Sequence, residues 1–101
     1  MNPSETITID TIVVRSDGLV SADVGEEVVM LDVEKNAYYD TDPVGADIWH
    51  RLTEPVRARE LCDALLQGYA IDRETCERDV LAFLTEAHRE GVIRIVAATA
   101  R

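Results

Sequence analysis

The chain has 101 residues, twenty of them Asp or Glu and ten Lys or Arg, for a formal net charge of −10. That size is one domain with a core of its own, and Cys62 and Cys76 form neither a CxxC pair nor a disulfide framework. The acidic excess argues against a general nucleic-acid binder and disfavours anionic membranes, since both need clustered Lys and Arg.

No apolar run approaches the roughly 20 residues of a membrane span. The N-terminal MNPSETITID has neither the basic nor the apolar region of a secretory signal. The expectation is a cytoplasmic domain.

The first half reads as strands. Ile7, Ile9, Ile12 and Val14 alternate loosely with Thr and Asp, which predicts a strand within residues 7–15. Ser16-Asp17-Gly18 is a turn signal, and Leu19, Val20, Ala22 and Val24 follow up to Gly25. Glu27 to Val33 is a short β-branched run, Glu34-Lys35-Asn36 a polar turn, and Ala37 to Thr41 the next strand. The last two strands should pair antiparallel, because the loop is too short for a crossover. Residues 1–42 hold ten acids against Arg15 and Lys35, so the acidic excess sits here. Solubility and protection of strand edges account for such charge; steering of a partner with basic groups is the functional reading.

The second half reads as three helices. Asp42 is an N-cap with Pro43 at the first helical position. Val44, Ile48, Trp49 and Leu52 recur at helical spacing until Pro55. Ala58, Leu61, Cys62, Leu65, Leu66 and Tyr69 form a second apolar stripe. Asp72 caps a third helix whose stripe is Cys76, Val80, Phe83, Leu84 and Ala87, with Gly91 to end it. Val92 to Val96 is a last short strand, and residues 97–101 are expected to be a flexible tail.

There is no Gly-rich phosphate loop, no HExxH, no GxSxG and no nucleophile beside an evident base. His50 and His88 stand alone and read as surface or interface histidines rather than metal ligands. Cys62 and Cys76 lie on apolar stripes, where a free cysteine acts as a small hydrophobe. Trp49 and Phe83 read as core. No catalytic residue, metal site or cofactor is predicted.

An ordered set of blocks carries a resemblance. Val29-Met30-Leu31-Asp32 and Tyr38-Tyr39 precede Asp42-Pro43-Val44-Gly45-Ala46-Asp47-Ile48-Trp49. Pro55, Glu60-Leu61, Leu65 and Tyr69-Ala70-Ile71-Asp72 follow, then Asp79-Val80-Leu81-Ala82-Phe83-Leu84 and Gly91-Val92-Ile93. This resembles the PqqD-like peptide-modification chaperones, and among them the stand-alone leader-binding proteins of lasso-peptide pathways, over about residues 19–95. Asp42 stands where members often carry Asn, and both can cap. Arg57 stands where a Ser or Thr commonly opens the second helix, so that start should be looser.

The resemblance implies a winged-helix-like α+β fold, with a three-stranded antiparallel sheet followed by three helices. It divides the chain into an N-terminal extension with a possible extra strand (1–18), the recognition domain (19–96) and the tail (97–101). Such proteins bind the leader of a ribosomally made precursor peptide as an added strand along the third helix. They perform no chemistry and present the peptide to a leader peptidase and a cyclase.

Residue-level physics agrees with that mode. If Ala37, Tyr38, Tyr39, Asp40 and Thr41 form an edge strand, their free backbone groups can template an incoming strand. Alternation puts Tyr38 and Asp40 on one face and Ala37, Tyr39 and Thr41 on the other, so one tyrosine should face the helices. Asp79, Ala82, Phe83 and Glu86 form a strip on the third helix that can line a groove beside that edge. Ala82 leaves room, Phe83 meets an apolar leader side chain, and Asp79 is either a hydrogen-bond acceptor or a solvated helix acid.

Three other readings compete. The same module can serve another peptide-modifying enzyme, such as a radical SAM enzyme. A winged-helix DNA-binding regulator shares the outline, but its recognition helix would carry Arg73, Arg78 and Arg89 against Glu74, Glu77, Asp79, Glu86 and Glu90. A thiol enzyme would need Cys62 or Cys76.

Overall fold

The computed structural model describes residues 6–96; the expected tail, 97–101, lies outside the described residues. The elements in chain order are β1 (Ile12–Arg15), β2 (Leu19–Val24), β3 (Glu27–Asp32), β4 (Ala37–Asp40), α1 (Pro43–His50), β5 (Val56–Arg57), α2 (Ala58–Gly68), α3 (Arg73–Glu90) and β6 (Ile93–Val96). The architecture is α+β, with two three-stranded antiparallel sheets ordered β5-β1-β6 and β2-β3-β4. The second is the sheet expected before the helices. The extra strand does not join it: β1 pairs with the C-terminal β6 (Val13 opposite Ile95) and with β5 (Val13 opposite Val56).

Two boundaries differ from the sequence reading. The strand expected within 7–15 is confined to Ile12–Arg15. Thr8 and Thr11 close a turn ahead of it: the Thr11 amide donates to the Thr8 carbonyl at 3.0 Å, and the Thr8 amide to Thr11 Oγ1 at 2.9 Å. Short hydroxyl side chains compete with the strand ladder in this way. Ile7 is buried in the main core although it belongs to no strand. The first helix stops at His50, well before Pro55. A 3₁₀ turn, Arg51–Thr53, follows, with Leu52 out of helical conformation (φ −95°, ψ 16°) and its side chain in the core.

The helix ends are set by short polar residues. Asp42 Oδ1 accepts from the Gly45 amide at 2.8 Å, with Pro43 beginning α1. Asp72 accepts from the Thr75 amide at 3.2 Å and the Thr75 hydroxyl at 2.7 Å, bonds that hold its carboxyl below the ordinary range. The start of α2 has no comparable cap: Arg57 offers no acceptor, and its amide reaches Glu60 Oε1 only at 3.5 Å.

The core gathers Val13, Met30, Trp49, Leu61, Leu84 and Ile93 from both sheets and all three helices. Each such side chain supplies about 1.5–3 kcal/mol by burial. Arg15 ties the first sheet to α1. Its guanidinium lies 4.3 Å from the Trp49 ring centroid and donates to the Trp49 carbonyl at 3.0 Å. Burial lowers its pKa, with Asp23 opposing that shift.

Candidate functional site

Among the described residues, β4 is an edge of the second sheet, hydrogen-bonded only to β3. The Thr41 amide donates to the Val28 carbonyl at 3.0 Å. In an antiparallel ladder, bonded and non-bonded pairs alternate. Thr41, Tyr39 and Ala37 therefore turn their backbone groups to β3, and Tyr38 and Asp40 turn theirs to the open edge. An extended segment laid there would bond to Tyr38 and Asp40.

The side chains alternate as well. Tyr39 is the tyrosine that faces the helices: it packs against the core, and its hydroxyl lies 3.5 Å from the Glu90 carbonyl. Tyr38 points away and is 73% exposed.

A groove of about 330 Å³ runs between β4 and α3. Met30, Tyr39, Phe83, Ala87 and Val92 give it apolar lining; Asp40, Asp42, Glu86 and Glu90 surround it with carboxylates. A second hollow of about 380 Å³ continues along α3, between it and the two shorter helices. It is lined by Val44, Ile48, Leu65, Ile71 and Val80, with Asp79 and Ala82 on the α3 side. Asp42 and Phe83 belong to both hollows and mark where they meet.

Of the candidate residues, Tyr39, Asp40, Thr41, Phe83 and Glu86 thus come together in the first hollow, and Asp79, Ala82 and Phe83 in the second. Ala37 and Tyr38 line neither: Tyr38 reaches the open edge through its backbone, whereas the backbone groups of Ala37 face β3 and bring it to neither hollow nor edge. Phe83, expected in the core stripe, is only partly buried, because that stripe proper is Cys76, Val80, Leu84 and Ala87. Ala87, which the sequence places in the core stripe, and Glu90 also line the groove, and helical spacing from Phe83 and Glu86 leads to both. Asp42, which the sequence marks as a cap, also lines both hollows. Met30 and Val92 carry no local signal, since tertiary packing alone brings them there.

The far end of the groove is fixed by Gly91, whose φ of 84° favours glycine. A Cβ there would also stand 2.9 Å from Lys35 Nζ, which donates to the Glu90 carbonyl at 3.2 Å.

Both cysteines are buried, and burial is the main reason the Cys62 thiol is pushed up to about 11 and Cys76 upward too. Neutral, enclosed thiols are poor nucleophiles. Among the described residues no group of acids, histidines or cysteines is placed to hold a metal ion, and no helix is long and apolar enough to cross a membrane. On α3, Arg73 pairs with Asp63 at 2.7 Å and Glu77 at 3.3 Å, and Arg89 pairs with Glu86. The three arginines of α3, Arg73, Arg78 and Arg89, share it with five acids, and that excess makes the helix a poor reader of phosphate.

An α+β domain with an open strand edge beside a helix-lined groove has the form in which an extended segment can be seated. The family model described as coenzyme PQQ synthesis protein D (PqqD) matches residues 27–93, and the chain belongs to the PqqD family. No curated protein matches it. One similar solved structure is "TbiB1 in Complex with the TbiA(beta) Leader Peptide", with 34% identity, a TM-score of 0.75, and coverage of 86% of this chain and 99% of that one. Another is "Lasso peptide synthetase B1 complexed with the leader peptide", at 22% identity and TM-score 0.73, covering 81% and 96% respectively; at that identity it speaks to the fold.

Proposed function

We propose that this protein binds the leader segment of a ribosomally made precursor peptide, without catalysis, and presents it to a leader peptidase and a cyclase of a lasso-type pathway. The observation that carries the reading is the unpaired edge of β4 directly beside the acidic, apolar-floored groove on α3. The leader adds as a strand through the outward backbone groups of Tyr38 and Asp40, with little demand on its sequence. Selectivity comes from side chains entering the groove, where Tyr39 and Phe83 offer apolar contact and Thr41 and Glu86 polar contact. Ala82 and Asp79 extend the contact along α3. The similar complex with a leader peptide supports this assignment. The domain division at residues 18 and 96, with the recognition domain between, and a cytoplasmic setting go with it.

An incoming leader is disordered before it binds, and ordering it offsets part of the gain. A net affinity of about 8 to 9 kcal/mol, micromolar to sub-micromolar, suits a transient handover. The test is a titration with a fluorescent synthetic leader from the neighbouring precursor gene. Saturable binding is expected, and a proline placed in the paired stretch of the leader should weaken it at least tenfold. Saturable binding that ignores the proline would rule out strand addition; no binding by folded protein would rule out this client.

A further inference from the structure

Gly45 lies inside α1, in ordinary helical conformation and buried. Neither a turn nor a left-handed φ requires a glycine there, in the first turn of the helix, and glycine in helical conformation is unfavourable relative to alanine. Its neighbours supply the reason. A Cβ at position 45 would stand 2.9 Å from Phe83 Cε1, 3.0 Å from Thr41 Cβ and 3.2 Å from Asp42 Oδ1. Carbon atoms in comfortable contact sit about 3.5–4.0 Å apart. The edge of the Phe83 ring therefore rests on the bare backbone of α1, beside the end of β4.

That resting place is the junction of the two hollows, because Phe83 lines both and Gly45 lines the second. We propose that Gly45 is a positioning residue for peptide binding: by lacking a side chain it seats Phe83 against α1 and keeps the two hollows open as one track along α3. This rests on the leader-binding reading and adds to it a residue that makes room for Phe83. An alanine methyl would drive the ring back by roughly half an ångström or more. The space open to the ring is the hollows it borders, so the displaced ring takes room from the guest.

The decisive experiment is a double-mutant cycle read by leader titration. Gly45→Ala is expected to lower leader affinity at least tenfold while the thermal midpoint stays within a few degrees of wild type. Phe83→Leu, which shortens the intruding group, is expected to absorb most of that loss. Adding Gly45→Ala to Phe83→Leu should then cost less than threefold. Wild-type affinity in Gly45→Ala, or an equal loss in both backgrounds, would overturn the proposal. The Phe83→Leu comparison decides the matter even if Gly45→Ala alone does not fold.

Phe83 is the single phenylalanine of the chain, so its ring protons give an NMR readout that needs no leader. They should show cross-relaxation to the Gly45 α protons and shift on alanine substitution. A wild-type protein that binds no leader would sink the functional reading. An unmoved Phe83 ring in Gly45→Ala would sink the role of Gly45 alone.

Discussion

The two sheets have the same number of strands and opposite exposure. In β5-β1-β6 the central strand buries both Val13 and Val14, adjacent residues that point to opposite faces, so the sheet is covered on both sides there. In β2-β3-β4 only one face is covered. Val28 and Met30 point inward, while Val20, at 59% exposure, and Tyr38 face out. The first sheet also joins distant parts of the sequence, since β1 meets β6 across most of the chain. The second is a local meander of consecutive hairpins. The first sheet joins early and late parts of the sequence; the second leaves its edge strand β4 beside the groove on α3.

The largest expected effect breaks the first sheet. Ile93→Ala removes a core side chain at 2% exposure and should cost about 2–5 kcal/mol of stability in a denaturant melt. Leu31→Ala, on the open face of the second sheet between Val20 and Tyr38, should cost only about 1 kcal/mol. Similar losses at both positions would erase the contrast.

The next effect is on binding, and it tests the register of β4. Proline at position 38 removes an amide that points to the open edge, so the β3 ladder survives while strand addition loses a donor. Tyr38→Pro should therefore weaken leader binding about tenfold, or about 1.4 kcal/mol, with little change in melting. Tyr39→Pro removes an amide directed at β3 and should lower the melting temperature first. Reversal of the two outcomes would show that the register is shifted by one residue.

A smaller effect concerns the closed region and pH. Burial raises the Cys62 thiol from its ordinary 9.0 to about 11. The unfolded thiol loses its proton first, so the stability tied to this group is complete below pH 9 and drains away as pH rises toward 11. The alkaline fall in melting temperature should be shallower in Cys62→Ala. An identical slope would mean that this thiol titrates alike in both states.

Much of this contrast was legible in the residues, and the reason is local. β2, β3 and β4 follow one another through tight turns at Gly25 and Asn36, so period-two patterning and turn chemistry sufficed. The caps Asp42 and Asp72 were equally readable, because a side chain reaching its own helix start is a short-range event. The first sheet was not readable as a sheet. Val56 and Arg57 form only a two-residue strand, and β1 finds its partners about 40 and 80 residues away. The site divides the same way. The strip Asp79, Ala82, Phe83 and Glu86 followed from helical spacing, whereas Gly45 beneath Phe83 depends on how α1 crosses α3, which no local pattern encodes.

The smallest expected effect sharpens the boundary between the two regions. Tyr39 belongs to the open sheet, yet its hydroxyl touches the C-terminal end of α3 at the Glu90 carbonyl, 3.5 Å away and at the limit of a hydrogen bond. That carbonyl also accepts from Lys35 at 3.2 Å. Removing the hydroxyl in Tyr39→Phe therefore leaves the carbonyl with a donor. The loss should stay under about 1 kcal/mol and move the melting temperature by no more than about 6 °C. The ring remains to line the groove, so leader affinity should change less than threefold. A larger loss of affinity at unchanged stability would place the Tyr39 hydroxyl against the peptide rather than against α3. Strand and helix would then be joined by the guest instead of by the fold.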